Sequence, residues 1–388
     1  MKYIIDYLAK YGDKYFIEKP ICEIDLLIFS QLIYNDFKGI IAEDETVTIG
    51  EAAVRFFGKY SEEKLSILLD VAKRASRLLS LCADTKRYKG VIMEHFIDNI
   101  NDHIDKQICA VNFLLPGGER VVSFRGTDAT VTGFKESAML AYMFPVPAQI
   151  EALHYFQETA MLSKGEVYAC GHSKGGNLAI FAAVNCSNSL KRKIKGVYSF
   201  DAPGFPSWFF ERYDYTQIRP KLELYNPQSS IVGRALVTEK APHIVRSDAK
   251  RINQHNVGTW IINDDAFALT DAYDEESDKL AAYLNDLFEY IGEEDLEAFY
   301  DAMEQTANQM GISNFYDIKA VDTHLLNIVI DSIQTLSPEQ KVRFRALARK
   351  VVADAAKDYV SEYAAKAKTA AKNLYGKIPL KKKKADEE

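Results

Sequence analysis

Gly171-His172-Ser173-Lys174-Gly175-Gly176 sets a serine among small residues between two contrasting runs. Val167-Tyr168-Ala169-Cys170 before it is short, apolar and β-prone, whereas Asn177-Leu178-Ala179-Ile180-Phe181-Ala182-Ala183 after it reads as a buried helix. A strand that turns at once into a helix holds its apex residue in a strained, exposed conformation. Small neighbours are required there because a Cβ would collide with adjacent backbone. The helix start also supplies free N–H groups and a positive dipole end, which suit an oxyanion. The chemistry implied is nucleophilic attack by the Ser173 hydroxyl on a carbonyl carbon.

A serine hydroxyl needs a base in reach, usually a histidine held by a third group. On a sheet with such an elbow the chain order is serine, acid, histidine. Three histidines follow Ser173. His243 opens a strand, and His324 falls in a helical stretch beyond the sheet region. His255 lies in the polar loop Arg251-Ile252-Asn253-Gln254-His255-Asn256-Val257-Gly258 and is the expected base; the alternative is an ordinary loop histidine. His172, inside the elbow, is read as a packing or supporting residue.

For the acid, Asp201 follows the strand Ile194–Phe200 and precedes Ala202-Pro203-Gly204, so it could orient the histidine or merely cap the turn. Asp248 is a second candidate, and a Ser–His dyad without a carboxylate a third. An oxyanion hole needs two donors: the Lys174 N–H is one. Thr127, in Ser123-Phe124-Arg125-Gly126-Thr127-Asp128 at the end of an earlier strand, offers the other. Ala138–Pro147 and Pro206-Ser207-Trp208-Phe209-Phe210 could wall a pocket or simply be core. The stretch Met139–Pro147 is also a candidate lid. No metal-spaced cluster, dinucleotide fingerprint or P-loop occurs, so neither cofactor nor metal is expected.

The elements that must position these residues are legible in outline. Residues 1 to about 100 read mostly as helices: Ile24, Leu27, Ile28, Leu32 and Ile33 recur at helical spacing, with Tyr34 and Phe37 extending that apolar face. Ile108–Leu115 and Arg120–Phe124 form a hairpin around Pro116-Gly117-Gly118-Glu119. Helices at Pro147–Leu162 and Gly175–Asn185 then alternate with strands at Glu166–Cys170, Ile194–Phe200, Leu222–Tyr225 and His243–Arg246. Such alternation predicts a largely parallel sheet covered by helices, with ligands at the strands' carboxyl ends. Beyond residue 270 two amphipathic stripes follow, Tyr283-Leu284-Leu287-Tyr290-Ile291 and Leu325-Ile328-Val329-Ile333-Leu336, before the lysine run Lys381–Lys384.

The 388 residues suffice for one large domain with appendages or for two, and 47% hydrophobic residues give a sizeable core. A net charge of −7 argues against nucleic acid as the main partner. Five scattered cysteines and no signal-like or membrane-length apolar run lead to the expectation of a cytoplasmic protein. The lysine tail is either a solvated terminus or a contact for an anionic membrane surface.

Phe124-Arg125-Gly126-Thr127 and Gly171–Ala179 resemble the fungal-type (class 3) lipases. They resemble still more their bacterial lipase-like relatives of undefined function, in which lysine follows the nucleophile. Asp201-Ala202-Pro203-Gly204-Phe205, Pro227–Gly233 and Gln254-His255 have counterparts there, so the likeness spans about residues 20 to 262. The resemblance implies an α/β-hydrolase fold, Ser173 as nucleophile, His255 as base and Thr127 at the oxyanion hole. It also marks a departure: at the position where class 3 lipases carry their acid this chain has Ser230, which leaves Asp201 or no acid.

The expectation is therefore an α/β protein with an α/β-hydrolase-like, mostly parallel sheet flanked by helices. Residues 1–270 would form that domain, including the N-terminal helical segment, and 271–388 a helical extension with a basic tail. The expected activity is that of an esterase- or lipase-like serine hydrolase taking a small-molecule or lipid ester with an apolar acyl group. The alternatives are a catalytically weak binding or regulatory protein on the same fold, and an acyltransferase.

Overall fold

The computed structural model describes residues 2–61, 64–65, 70–128, 130–275, 277–279, 281–282, 285, 293–309, 332 and 335–342. Both C-terminal apolar stripes, apart from Leu336, lie outside the described residues, as do His324 and Lys381–Lys384.

Among the described residues, helices α1 (Ile4–Tyr11), α2 (Glu23–Leu32), α3 (Ile49–Lys59) and α4 (Asp70–Ala83) lie before the long strands. Strands β1 (Val47–Thr48), β2 (Ile92–Asn101), β3 (Lys106–Leu114) and β4 (Arg120–Phe124) form the antiparallel part of a nine-stranded sheet. Helices α5 (Val131–Met139) and α6 (Pro147–Met161) follow. The parallel part is β4, β5 (Val167–His172), β6 (Ile194–Phe200), β7 (Leu222–Pro227) and β8 (His243–Val245), with α7 (Lys174–Asn185) and α8 (Asn188–Lys193) between β5 and β6. Short α9 (Phe209–Arg212) lies before β7. A small hairpin, β9 (Ile262–Asn263) with β10 (Ala266–Phe267), precedes the antiparallel edge strand β11 (Leu269–Thr270), and α10 (Glu293–Gln309) is the last long helix described.

Strand periodicity sorts the core into two layers. Cys109, Val111, Phe113, Val121, Tyr168 and Cys170 face the N-terminal helices. Their alternates Ile108, Ala110, Val122, Val167 and Ala169 face α6 and α7 through Ala152, Phe156, Leu178 and Phe181. The sheet is thus covered on both sides, the α/β-hydrolase-like arrangement that the alternation of elements implied. The N-terminal side carries its own buried anchor: Arg87 donates from Nε (2.8 Å) and Nη2 (2.6 Å) to Asp25, which also takes Tyr7 Oη at 3.1 Å.

One feature departs from the sequence reading. β2 lies in a region read as mostly helical. A register shift between Glu94 and Ile97, with His95 at φ 54°, breaks the two-residue alternation that would have marked it. The compact unit containing the sheet runs from Met1 to Ser332. Of the second unit, Ile333–Glu388, only residues 335–342 are described. All five cysteines are unpaired. Among the described residues no helix is long and apolar enough to cross a membrane, and no cluster of side chains could hold a metal ion.

Candidate active site

Ser173 sits between the end of β5 and the start of α7 with φ 56° and ψ −136°. A non-glycine residue holds such a positive φ only when its surroundings enforce it. Here its N–H donates to Phe200 O (2.9 Å) and its carbonyl accepts from Gly176 N–H (2.9 Å). Two glycines let β4 end against this turn. A Cβ on Gly175 would strike the Phe124 carbonyl. A Cβ on Gly126 would come within 2.6 Å of His172 O and 3.0 Å of Ser173 Cβ. Gly126-Thr127 and the serine are therefore neighbours.

His255 and Asp201 are brought together: Nδ1 of His255 lies 2.6 Å from Asp201 Oδ2. Asp201 is 1% exposed and His255 27%. The carboxylate stands at the exit of β6, where Asp201 N–H donates to Tyr225 O (2.8 Å). Its other oxygen, Oδ1, accepts from Ser230 Oγ (2.5 Å) and Gly233 N–H (3.0 Å). Ser230, at the position where the resemblance puts an acid, thus donates to the acid instead. The His255 loop is pinned by its neighbour: Gln254 Oε1 accepts from Ser229 N–H (2.7 Å), and Gln254 O accepts from the buried Trp260 indole (2.8 Å). Asp248 is elsewhere, on the surface with Lys2 (2.7 Å) and Tyr3 (2.6 Å). His243 pairs with Glu223 at 3.0 Å.

His172 connects the pieces. Its Nε2 lies 3.0 Å from the His255 carbonyl, and a carbonyl can only accept, so Nε2 carries the proton. Burial, and then the charge of His255, hold His172 well below the ordinary histidine range, so the ring is neutral and Nδ1 accepts. The donor is Tyr34 Oη at 3.0 Å, which itself accepts from Gly126 N–H (3.2 Å). Tyr34 is therefore more than an extension of an apolar helix face: its hydroxyl ties the Gly126 turn, the elbow and the histidine loop together. Sequence patterning missed it because the contact spans 138 residues.

Lys174, directly after the serine, is 1% exposed, and its Nζ donates to Glu136 Oε2 and to Gln107 O, each at 2.7 Å. Burial draws the lysine below its ordinary range while the Glu136 carboxylate opposes this. Thr127 hydrogen-bonds through Oγ1 to Ser137 Oγ on α5. The two hydrophobic segments meet through Phe144, whose ring is 5.1 Å from Trp208 and 5.4 Å from Phe209, both edge-on. Met139, Leu140 and Val146 are buried beside Tyr142, Met143 and Leu236. Residues beyond 270 brace the same end of the sheet. Lys135 on α5 bonds Asp301 and Glu304 of α10, each at 2.8 Å, and Asn285 Oδ1 accepts from Leu236 N–H (2.8 Å).

The fold and this strand–serine–helix turn are those of a protein with an α/β-hydrolase-like sheet. The chain belongs to the Mbeg1-like family, whose model matches residues 82–305, more than half of its length. Among solved structures it is similar to the M37 lipase (16% identity, 55% of this chain and 69% of that one, TM-score 0.34). It is also similar to Lip2 lipase from Yarrowia lipolytica (14%, 47% and 72%, TM-score 0.29). A third is the Rhizomucor miehei lipase propeptide complex (11%, 65% and 74%, TM-score 0.35). No curated protein matches the chain significantly.

Proposed function

We propose that this protein is a serine hydrolase that cleaves an ester of an apolar acyl group through an acyl-Ser173 intermediate. The observation that carries the reading is the 2.6 Å pairing of His255 with the buried Asp201 beside the Ser173 turn. A protein that merely binds needs no histidine so oriented. Asp201 holds Nδ1–H, which leaves Nε2 to take the Ser173 proton as Oγ bonds to the acyl carbon. Negative charge on the carbonyl oxygen is met by the Lys174 N–H at the helix start and by Thr127. The bond to the leaving alcohol then breaks, and the alcohol departs with the proton from Nε2. Water passes a proton to Nε2 as its oxygen attacks the acyl carbon, and Ser173 leaves with that proton restored. The apolar acyl preference rests on the hydrophobic segments around Met139–Val146 and Trp208–Phe210. Five unpaired thiols favour a reducing compartment.

Labelling with a fluorophosphonate tests the reading: wild type should label and Ser173→Ala should not. Equal labelling of the two removes Ser173 as nucleophile. Turnover of p-nitrophenyl esters of increasing chain length then measures the acyl preference, and a water-versus-alcohol product ratio separates hydrolase from acyltransferase.

A further inference from the structure

We infer that the buried Lys174–Glu136 ion pair is a positioning device that fixes the two oxyanion donors relative to one another, an inference that rests on the serine hydrolase reading above. Glu136 on α5 is fully buried, and its carboxylate collects three donors from three different elements. Oε2 accepts from Lys174 Nζ (2.7 Å) and from Gln107 N–H on β3 (2.9 Å), and Oε1 accepts from Ala148 N–H in the first turn of α6 (2.8 Å). The lysine's remaining contact is the Gln107 carbonyl at 2.7 Å. The residue after Glu136 is Ser137, whose hydroxyl holds Thr127 Oγ1.

A continuous path therefore leads from the backbone of Lys174, one donor, through its own side chain to Glu136, along one step of α5 to Ser137, and on to Thr127, the other donor. Gly126, the residue before Thr127, is held through Tyr34 to His172. The ion-pair attraction by itself supplies little stability. Taking both ions out of water costs several kcal/mol each, and an apolar pair of similar volume often stabilises as well or better. What an apolar pair cannot do is receive the Gln107 and Ala148 N–H groups and donate to the Gln107 carbonyl in fixed directions. A carboxylate and an ammonium set the angle between α7 and α5, and that angle sets the spacing of the donors. Oxyanion donors act only when held where charge develops, and a displacement of about 1 Å costs about 10²-fold.

The test is the apolar exchange Lys174→Met with Glu136→Leu in the full-length chain, beside Glu136→Gln alone. The double variant is expected to fold, judged by near-UV circular dichroism. Its kcat on a p-nitrophenyl ester should fall by about 10²-fold, with KM within about threefold of wild type. Hydrogen exchange over residues 126–139 should quicken in parallel. A folded double variant whose kcat is within about threefold of wild type overturns the inference, as does a loss confined to KM. Unfolding of both variants also overturns it, because the pair is then a folding strut. If wild type labels no more than Ser173→Ala, the hydrolase reading has failed instead. Hydrogen exchange still judges the pair in that case: unchanged protection in the double variant refutes the coupling, and lost protection retains it.

Discussion

Asp201→Asn should nearly abolish turnover without unfolding the protein, and the geometry says why. The side chain has two oxygens with different obligations. Oδ1 faces the Gly233 N–H at 3.0 Å, a backbone donor that cannot reverse, whereas Oδ2 faces His255 Nδ1 at 2.6 Å. An asparagine here must keep its carbonyl oxygen toward Gly233, which turns its NH2 toward Nδ1. Nδ1 is then forced to accept, so the imidazole proton moves to Nε2. A histidine in that tautomer cannot take the proton of Ser173. Loss of the triad carboxylate by this route costs about 10⁴-fold in kcat, or ~5 kcal/mol of transition-state stabilisation. The assay is p-nitrophenyl ester turnover at saturating substrate, with thermal unfolding as the control for the fold. A folded Asp201→Asn protein with kcat within about tenfold of wild type refutes the tautomer argument and removes Asp201 from the triad.

Three further outcomes follow from the surrounding contacts. Tyr34→Phe removes the acceptor of Gly126 N–H and the donor to His172, which should cost about 1–3 kcal/mol of stability and lower kcat with KM unchanged; unaltered denaturant midpoints would count against it. His172 is held neutral by burial and then by the charge of His255. Between its depressed value and the ordinary 6.5, the unfolded chain binds a proton that the folded chain refuses. Stability should accordingly fall as pH drops below 6.5, by up to about 1.4 kcal/mol per unit from this group, and His172→Gln should flatten that slope in urea titrations. Asp25→Asn leaves Arg87 buried without a counter-charge and should cost ~3–5 kcal/mol by urea unfolding, with Ser173 labelling per folded molecule unchanged.

What the sequence disclosed was local. The elbow, the Pro116–Glu119 hairpin and the alternation from Arg120 to Val245 are patterns of near neighbours, and each has its element within a residue or two of the expected ends. β2 escaped because its bulge at His95 breaks the period on which a strand is recognised. Tyr34, Glu136 and Ser137 escaped for a different reason: Tyr34 lies in the turn after α2 and the other two on α5, and only the tertiary contact gives each a partner in the site. The segment after residue 270 reads as a helical extension from its amphipathic stripes. Its polar contacts from Asn285, Asp301 and Glu304 join it to the same unit as the sheet.

Asp201 illustrates why a candidate triad acid is better sought by geometry than by motif. β6 and β7 are adjacent and parallel, with Phe200 paired to Tyr225, so the residues that leave the two strands emerge side by side. Asp201 leaves the first and Ser230 follows the second, and their side chains meet at 2.5 Å. A carboxylate at either exit can therefore reach one histidine loop, while the other exit supplies a hydrogen-bond donor. In this chain the carboxylate follows β6 and the hydroxyl follows β7, whereas the resemblance to class 3 lipases implies an acid at the Ser230 position. That difference yields a sharp expectation: in the background of Asp201→Asn, Ser230→Asp should restore part of the lost turnover, because it returns a negative charge to the second exit. Failure of the double variant to exceed Asp201→Asn in kcat, with both folded, would show that the two exits are not equivalent and that the position of Asp201 itself is what orients His255.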